Sequence, residues 1–183
     1  KPVVNRFYVL EYRREALPNQ LENTGHLAGS CLIETPLLDP AFASHQIALR
    51  ENTHEIHYFS FNEWANRPEQ SLEAIMLAYF REFPVFKGGM VTAGGEQSDY
   101  AIATHVTRLE VAQVRNDFHA RLDLEFRLSD RETNTLLAVH KASREEVLAQ
   151  RDLNLFAATI SELFVGELQA FVTKFSQAIP ADE

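Results

Sequence analysis

The 183-residue sequence has little of what disulfide-linked, membrane-spanning and nucleic-acid-binding proteins need. Its one cysteine cannot form an internal disulfide, so the redox compartment stays open. No run approaches the ~20 consecutive apolar residues of a membrane span. Lys and Arg number 17 against 26 Asp and Glu, which gives a formal net charge of −9. Because phosphate backbones are bound by clustered cations, this balance argues against a nucleic-acid partner.

Chemical motifs are scarce as well. Gly88-Gly89 and Gly94-Gly95 lack the Lys-Ser/Thr of a phosphate-binding loop and the helix that follows a dinucleotide fingerprint, so we interpret them as turn glycines. Cys31 lies in an apolar run, LAGSCLIE, and is expected to be a small buried hydrophobe. The carboxylates fall at positions expected to face solvent and show no evident pairing. We therefore predict no enzymatic activity and no cofactor.

Seven histidines raise the question of a metal site. Pairing the three long predicted strands about their turns places His105 opposite Phe126 and His140 opposite Glu125, with His119 far from both. Side chains so distributed cannot converge on one ion. We therefore predict no metal site.

The hydrophobic pattern predicts one α/β domain of α+β character over residues 1–183. Strands are predicted over 6–12, 26–34, 46–50, 55–61, 99–114, 118–130 and 136–149. Helices are predicted from Asn66–Pro68 to Pro84, and over 153–178 with Asp152 as its cap. Apolar and charged residues alternate along 118–130, as in an antiparallel sheet covered on one side. We expect a mixed, largely antiparallel sheet with the two helices packed on it.

Trp64 stands between a predicted strand and the first helix, just ahead of Asn66-Arg67-Pro68. Two interpretations are equally supported by the sequence. The indole either anchors the start of the helix in the core or belongs to a contact surface.

Four features occur in a distinctive order along the chain. An aromatic strand, RFYVL, spans 6–10; Gln46-Ile47 precedes Arg50 in a second strand; a third strand leads to Trp64-Ala65 and an amphipathic helix; three long strands and a terminal helix follow. This order resembles the ABC-type transport auxiliary lipoproteins, which include the paraquat-inducible intermembrane transport lipoproteins. In that family a Tyr-rich strand follows the lipidated cysteine, and the later segments resemble its QIVxR and strand–WA–helix motifs.

The resemblance implies a sandwich similar to anticodon-binding-like and TolB N-terminal domains. It also implies a non-enzymatic periplasmic protein that binds Mce-type or ABC transporter subunits and helps to move lipids or other hydrophobic compounds between membranes. The implied membrane contact is an N-terminal lipid anchor, expected in the outer membrane. The chain opens at Lys1-Pro2 without Met, so we expect the anchor-bearing segment to have been trimmed. Cys31, inside a predicted strand, cannot be the lipidated residue.

For such a protein we expect partner contacts around Trp64 and the glycine loop, at Gly88, Gly89, Gly94 and Gly95. The alternative is a cytosolic enzyme or small-ligand-binding protein of α+β build, with a polar pocket near Trp64 and the Gly88–Gly95 loop. A homo-oligomeric structural protein is a third hypothesis. The solvated face of strand 118–130 argues against self-association through that surface, whereas an exposed apolar helix face would favour it elsewhere.

Overall fold

The computed structural model describes residues 4–13, 27–92 and 97–178. The elements in chain order are β1 (Arg6–Tyr8), β2 (Cys31–Ile33), β3 (Leu37–Leu38), β4 (Gln46–Asn52), β5 (Glu55–Trp64), α1 (Pro68–Glu82), β6 (Met90–Thr92), β7 (Tyr100–Val114), β8 (Asp117–Asp130), β9 (Thr135–Val147) and α2 (Leu153–Ala178). The predicted α+β architecture, a mostly antiparallel sheet with two helices, is confirmed. Strands β3 and β6 were not predicted, because two or three residues are too few to show an alternating pattern.

The long strand β7 organises the sheet. One of its edges pairs with β8 in antiparallel fashion over almost its whole length, and β8 pairs in the same way with β9. The other edge of β7 is shared by β2, β3 and β4, all parallel to it. Beyond them, β5 pairs with β4 and β1, and β6 pairs with β2. Within the described residues, β1, β6 and β9 each pair along a single edge.

The register of the two long hairpins differs from simple turn-centred pairing. His105 lies opposite Glu125, and His140 lies opposite Phe126. The predicted pairings of these two histidines were wrong by one residue, because irregularities interrupt the ladders between Val106 and Arg108 and between Leu128 and Ser129. A bulge adds one residue to one strand, so every later pair is displaced.

Both helices lie on one face of the sheet and bury their apolar stripes there. The ring of Phe126 in β8 stacks on Phe171 of α2 with centroids 5.3 Å apart. The carboxylate of Asp152 accepts a 2.7 Å hydrogen bond from the backbone N–H of Asn154, which confirms the predicted cap of α2. By length and composition α2 could also cross a membrane, but 61% of its most apolar stretch is buried inside the protein, the pattern of a core helix.

Trp64 lies inside the core. Its side chain is 2% exposed, and its ring centroid is 5.8 Å from that of Phe156 in α2. The backbone N–H of Trp64 donates to the carbonyl of His45 at 2.7 Å, which fixes the end of β5 beside the loop that precedes β4. Of the two interpretations of this residue, the structure supports the core anchor.

Replacing Trp64 by Ala should therefore remove a fully packed indole and leave a cavity between the sheet and α2. We expect the free energy of unfolding to fall by about 3–5 kcal/mol. Urea denaturation followed by circular dichroism measures it. The matched control is Phe61→Ala on the same strand, where the side chain is 49% exposed. That change should cost about 1 kcal/mol or less. Equal, small losses in both variants would contradict the core assignment.

Candidate functional site

Gly88 is a structural glycine at a close approach of two chain segments. A Cβ at this position would lie 2.7 Å from the carbonyl carbon of Gly29 and 2.7 Å from the backbone nitrogen of Ser30. The backbone N–H of Gly88 donates to the carbonyl of Gly29 at 2.8 Å. Only a residue without a side chain permits this hydrogen bond.

Gly89 holds the neighbouring turn in a left-handed conformation, with φ of +78°. Its carbonyl accepts a 3.0 Å hydrogen bond from the N–H of Cys31, so the two glycines shape the chain beside β2. Gly94 and Gly95 lie outside the described residues. A partner-contact role for the glycine loop stays a prediction, but the geometry at Gly88 and Gly89 has a sufficient structural explanation.

The buried position of Trp64 also bears on the alternative hypothesis of an enzyme or small-ligand protein. A side chain that is 2% exposed cannot line an open polar pocket. Burial raises the pKa of the Cys31 thiol, which keeps it protonated and unreactive. Within the described ranges, no group of three His, Cys, Asp or Glu side chains is placed to hold a metal ion.

Three exposed apolar side chains lie on or next to the edge strand β1 and on its neighbour β5. Val4, Phe7 and Phe61 are 69%, 60% and 49% exposed, respectively. β1 and β5 are parallel neighbours, with Phe7 opposite Glu63. Large apolar side chains that water reaches, on an edge strand and its neighbour, are typical of a contact surface. We call this region the β1–β5 edge, defined by Val4, Phe7 and Phe61.

The chain leaves the sheet after β1 and crosses the helices, which explains why β1 ends at Tyr8 and not at residue 12 as predicted. The backbone N–H of Glu11 donates to the hydroxyl of Ser161 in α2 at 3.2 Å. The hydroxyl of Tyr12 donates to the carboxylate of Glu82 at the end of α1, 2.7 Å away. These contacts attach the N-terminal segment to both helices and hold the β1–β5 edge in place.

The face of the sheet away from the helices is charged, and its centre holds a buried carboxylate. Glu110 of β7 is 0% exposed, and both of its oxygens accept from the Nε–H of Arg50 in β4, at 2.7 and 2.9 Å. This hydrogen bond raises the pKa of Arg50. The expectation that carboxylates face solvent without pairing was wrong here, because the partner comes from a strand 60 residues away.

Further ion pairs extend across this face. The pairs are Arg108–Asp123 at 2.7 Å, Arg121–Glu145 at 2.9 Å, Arg127–Glu125 at 2.6 Å and Lys141–Glu125 at 2.9 Å. Hydrogen bonds from Lys141 and Arg121 lower the pKa of Glu125 and of Glu145, respectively. Each carboxylate stabilises the folded state above its unfolded pKa, and that contribution is lost as the pH falls through the lowered folded value.

A second buried carboxylate joins α2 to β9 on the helix side of the sheet. Glu167 is 5% exposed; it accepts from Arg144, and one of its oxygens lies 2.6 Å from the Nε2 of His140. His105, in contrast, contacts Asp39 at 2.8 Å. The two histidines are therefore held by different carboxylates, and both carboxylate contacts escaped the sequence analysis because their partners are distant in sequence.

The glycine assignments lead to a matched pair of substitutions. Gly88→Ala should destabilise the fold by roughly 1–3 kcal/mol, because the new Cβ would overlap the backbone at Gly29 and Ser30. Gly166→Ala should stabilise it by about 0.5–1 kcal/mol, since Gly166 lies within α2 and a Cβ there meets nothing within 4 Å. Thermal unfolding of the two variants compares them directly. A stabilised Gly88→Ala variant would contradict the close approach.

Several solved structures have a similar fold. A crystal structure of a Xanthomonas campestris protein with the DUF330 family model matches with a TM-score of 0.73 at 17% identity, covering 95% of this chain and 94% of that one. The crystal structure of an uncharacterized protein matches at 0.68 and 13%, with 93% and 98% covered. A PelC dodecamer from Paraburkholderia phytofirmans matches at 0.50 and 11%, with 86% and 94% covered. At such identities these likenesses show the fold alone.

Sequence comparison identifies the family. No curated protein matches the sequence. The model of the ABC-type transport auxiliary lipoprotein component matches residues 8–170, nearly the whole chain. The match runs from Tyr8, the last residue of β1, into α2, and it includes the Trp64 segment and the three long strands. The chain therefore belongs to the family of ABC-type transport auxiliary lipoprotein components.

Proposed function

We propose that this protein is a periplasmic, lipid-anchored accessory component of an ABC/Mce-type system that moves lipids or other hydrophobic compounds between membranes. It acts by binding other proteins and catalyses no reaction. The observation that carries the proposal is the family match over residues 8–170, in a family of transport auxiliaries that is not an enzyme family. The anchor is proposed to lie in the outer membrane, as the sequence resemblance implies.

The β1–β5 edge is the surface that best suits a transporter subunit. β1 is the first described strand, and in the family that this chain resembles the equivalent strand follows the lipidated cysteine closely. Under this proposal Phe7 therefore lies near the membrane, where the subunits of an envelope transporter are found. Phe7 and Phe61 offer aromatic surface at 60% and 49% exposure, and such side chains dominate binding energy when a partner covers them.

In this proposal Trp64 does not contact a partner itself but supports the strand that carries Phe61. Trp64 ends β5, the strand that carries Phe61, and its indole packs on Phe156 below. Its burial supports the geometry of the edge without offering surface to a partner.

Self-association is part of the proposal. PelC, which has this fold, is described as a dodecamer, and β1 and β9 each keep one unpaired edge within the described residues. Unpaired strand edges are suited to pairing between copies. We expect multi-angle light scattering of the purified chain to show a mass above that of the 20.8 kDa monomer, increasing with concentration. A constant monomer mass at high concentration would rule out this component of the proposal.

Co-purification tests the main function. The full-length protein with its native leader, tagged at the C-terminus, is extracted from envelopes in mild detergent, and its partners are identified by mass spectrometry. We expect ABC or Mce-type subunits with the unaltered protein. The double variant Phe7→Ser/Phe61→Ser should recover about tenfold less of them, because two aromatic anchors are lost.

The control for this experiment is Leu37→Ser in β3, a 63% exposed side chain on a strand that pairs with β7 and not with β1 or β5. It should leave recovery unchanged, and all variants should stay folded, with melting temperatures lowered by no more than roughly 5 °C. Absence of transporter subunits with the unaltered protein would refute the proposed function. Equal recovery with the double variant would refute only the assignment of the β1–β5 edge.

A further inference from the structure

A broad concavity opens on the face of the sheet that the helices leave uncovered. It lies where the β4–β5 turn approaches the β7–β8 turn, and it holds about 1260 Å³ with the solvent at its mouth included. Four arginines line it, Arg50, Arg108, Arg115 and Arg121, against one lining carboxylate, Glu51. Four of the 17 basic Lys and Arg residues thus converge in a chain whose net charge is −9. We call this site the arginine cavity.

Arg50 is fixed at the edge of the cavity by a carboxylate that solvent does not reach. Its Nε–H donates to both oxygens of Glu110, and an Nη1–H donates to the carbonyl of Thr53 at 3.1 Å. Because Glu110 is 0% exposed, solvent does not reach its oxygens, and its negative charge balances that of the Arg50 guanidinium. What the cavity presents at this point is the remaining N–H donors of Arg50.

Arg108 and Arg121 pair with partly exposed carboxylates on β8 and β9. Arg108 pairs with Asp123 at 2.7 Å, and Arg121 donates twice to Glu145, at 2.9 and 3.3 Å. A guanidinium carries five N–H donors, more than these contacts use. The side chains are therefore ordered before any ligand arrives, so little rotamer freedom remains to be lost on binding.

Arg115 differs from the other three arginines because its positive charge is not balanced by a paired carboxylate within the described residues. It lies in the β7–β8 turn with φ of +58° and an exposed side chain. Within the part of the chain that the structure describes, no carboxylate pairs with its guanidinium. Glu51 at the rim is shared with His57, 3.7 Å away. Three fixed guanidinium groups and one unpaired guanidinium thus surround the same space.

We propose that the arginine cavity binds a phosphate group, carried either by inorganic phosphate or by a phospholipid head group. A guanidinium fork matches phosphate oxygens in bidentate geometry. A tetrahedral phosphate presents oxygens in several directions, so it can accept from arginines on different walls at once, whereas a planar carboxylate is satisfied by one fork. The binding concerns the isolated chain and needs no transporter, so it stands independently of the proposed function.

Isothermal titration calorimetry on the full 183-residue chain in phosphate-free buffer tests the site. The probes are sodium phosphate and, separately, dihexanoylphosphatidylglycerol below its micelle concentration. Arg115→Gln should weaken binding about tenfold or more, because a charged hydrogen-bond donor is lost. Arg115 has no ion-pair partner among the described residues, so the Arg115→Gln variant should have the melting temperature of the unaltered protein. Arg50 is left intact because its removal would leave the buried carboxylate of Glu110 without the guanidinium that donates to it.

The matched control is Arg127→Gln, which removes an equal charge from β8 outside the cavity. Arg127 is 56% exposed and pairs with Glu125, and its loss should change affinity by less than about twofold. Binding of both probes, weakened only by Arg115→Gln, supports a phosphate site. Binding of the lipid alone with the same variant pattern also supports it and identifies the head group as the source.

Three outcomes overturn the inference. The first is the absence of saturable binding of either probe to the unaltered chain. The second is equal weakening by Arg115→Gln and Arg127→Gln, which would indicate diffuse electrostatic attraction. A polyglutamate peptide serves as a third probe. If it binds and neither phosphate probe does, which is the third outcome, the cavity is a contact for an acidic protein segment.

Discussion

Strand β7 is the element on which the rest of the structure depends. Its 15 residues pair along one edge with β8 and along the other with three short parallel strands, β2, β3 and β4. Short strands such as β3, with two residues, have few ladder hydrogen bonds of their own and persist because β7 offers a fixed edge. Three separate segments of the chain therefore pair with this one edge of β7. The pairing of β4 with β7 places Arg50 next to Glu110.

The two faces of the sheet differ in what packs on them. On the helix face, Phe126, Phe164 and Phe171 pack in close ring contacts, and Trp64 packs on Phe156. Among the described residues no helix covers the other face, so its polar side chains form hydrogen bonds with one another or with water. The arginine–carboxylate pairs meet this need around Glu110, and they leave an ordered set of guanidinium groups at one end. The two binding surfaces that we propose therefore lie on the uncovered face and on the β1 edge.

The sequence predicts those parts of the structure that depend on local periodicity. Alternation along 118–130 and the apolar stripes of both helices correctly indicate which face of each element is buried, since burial there follows from side-chain direction. Contacts between segments that are distant in sequence cannot be predicted from local periodicity. The Arg50–Glu110 contact spans 60 residues, and the histidine registers were displaced by bulges that have no composition signal. Trp64 remained ambiguous because the same residue type suits a core and an interface.

We propose that this protein binds its transporter partners through the β1–β5 edge, while the helices support the fold. Hydrogen–deuterium exchange of the full-length chain, alone and in the complex captured from envelopes, measures this most directly. We expect exchange to slow in β1 and β5 when partners are bound, with the solvent-facing side of α2 unchanged. Slowed exchange confined to α2, with β1 and β5 unaffected, would contradict it.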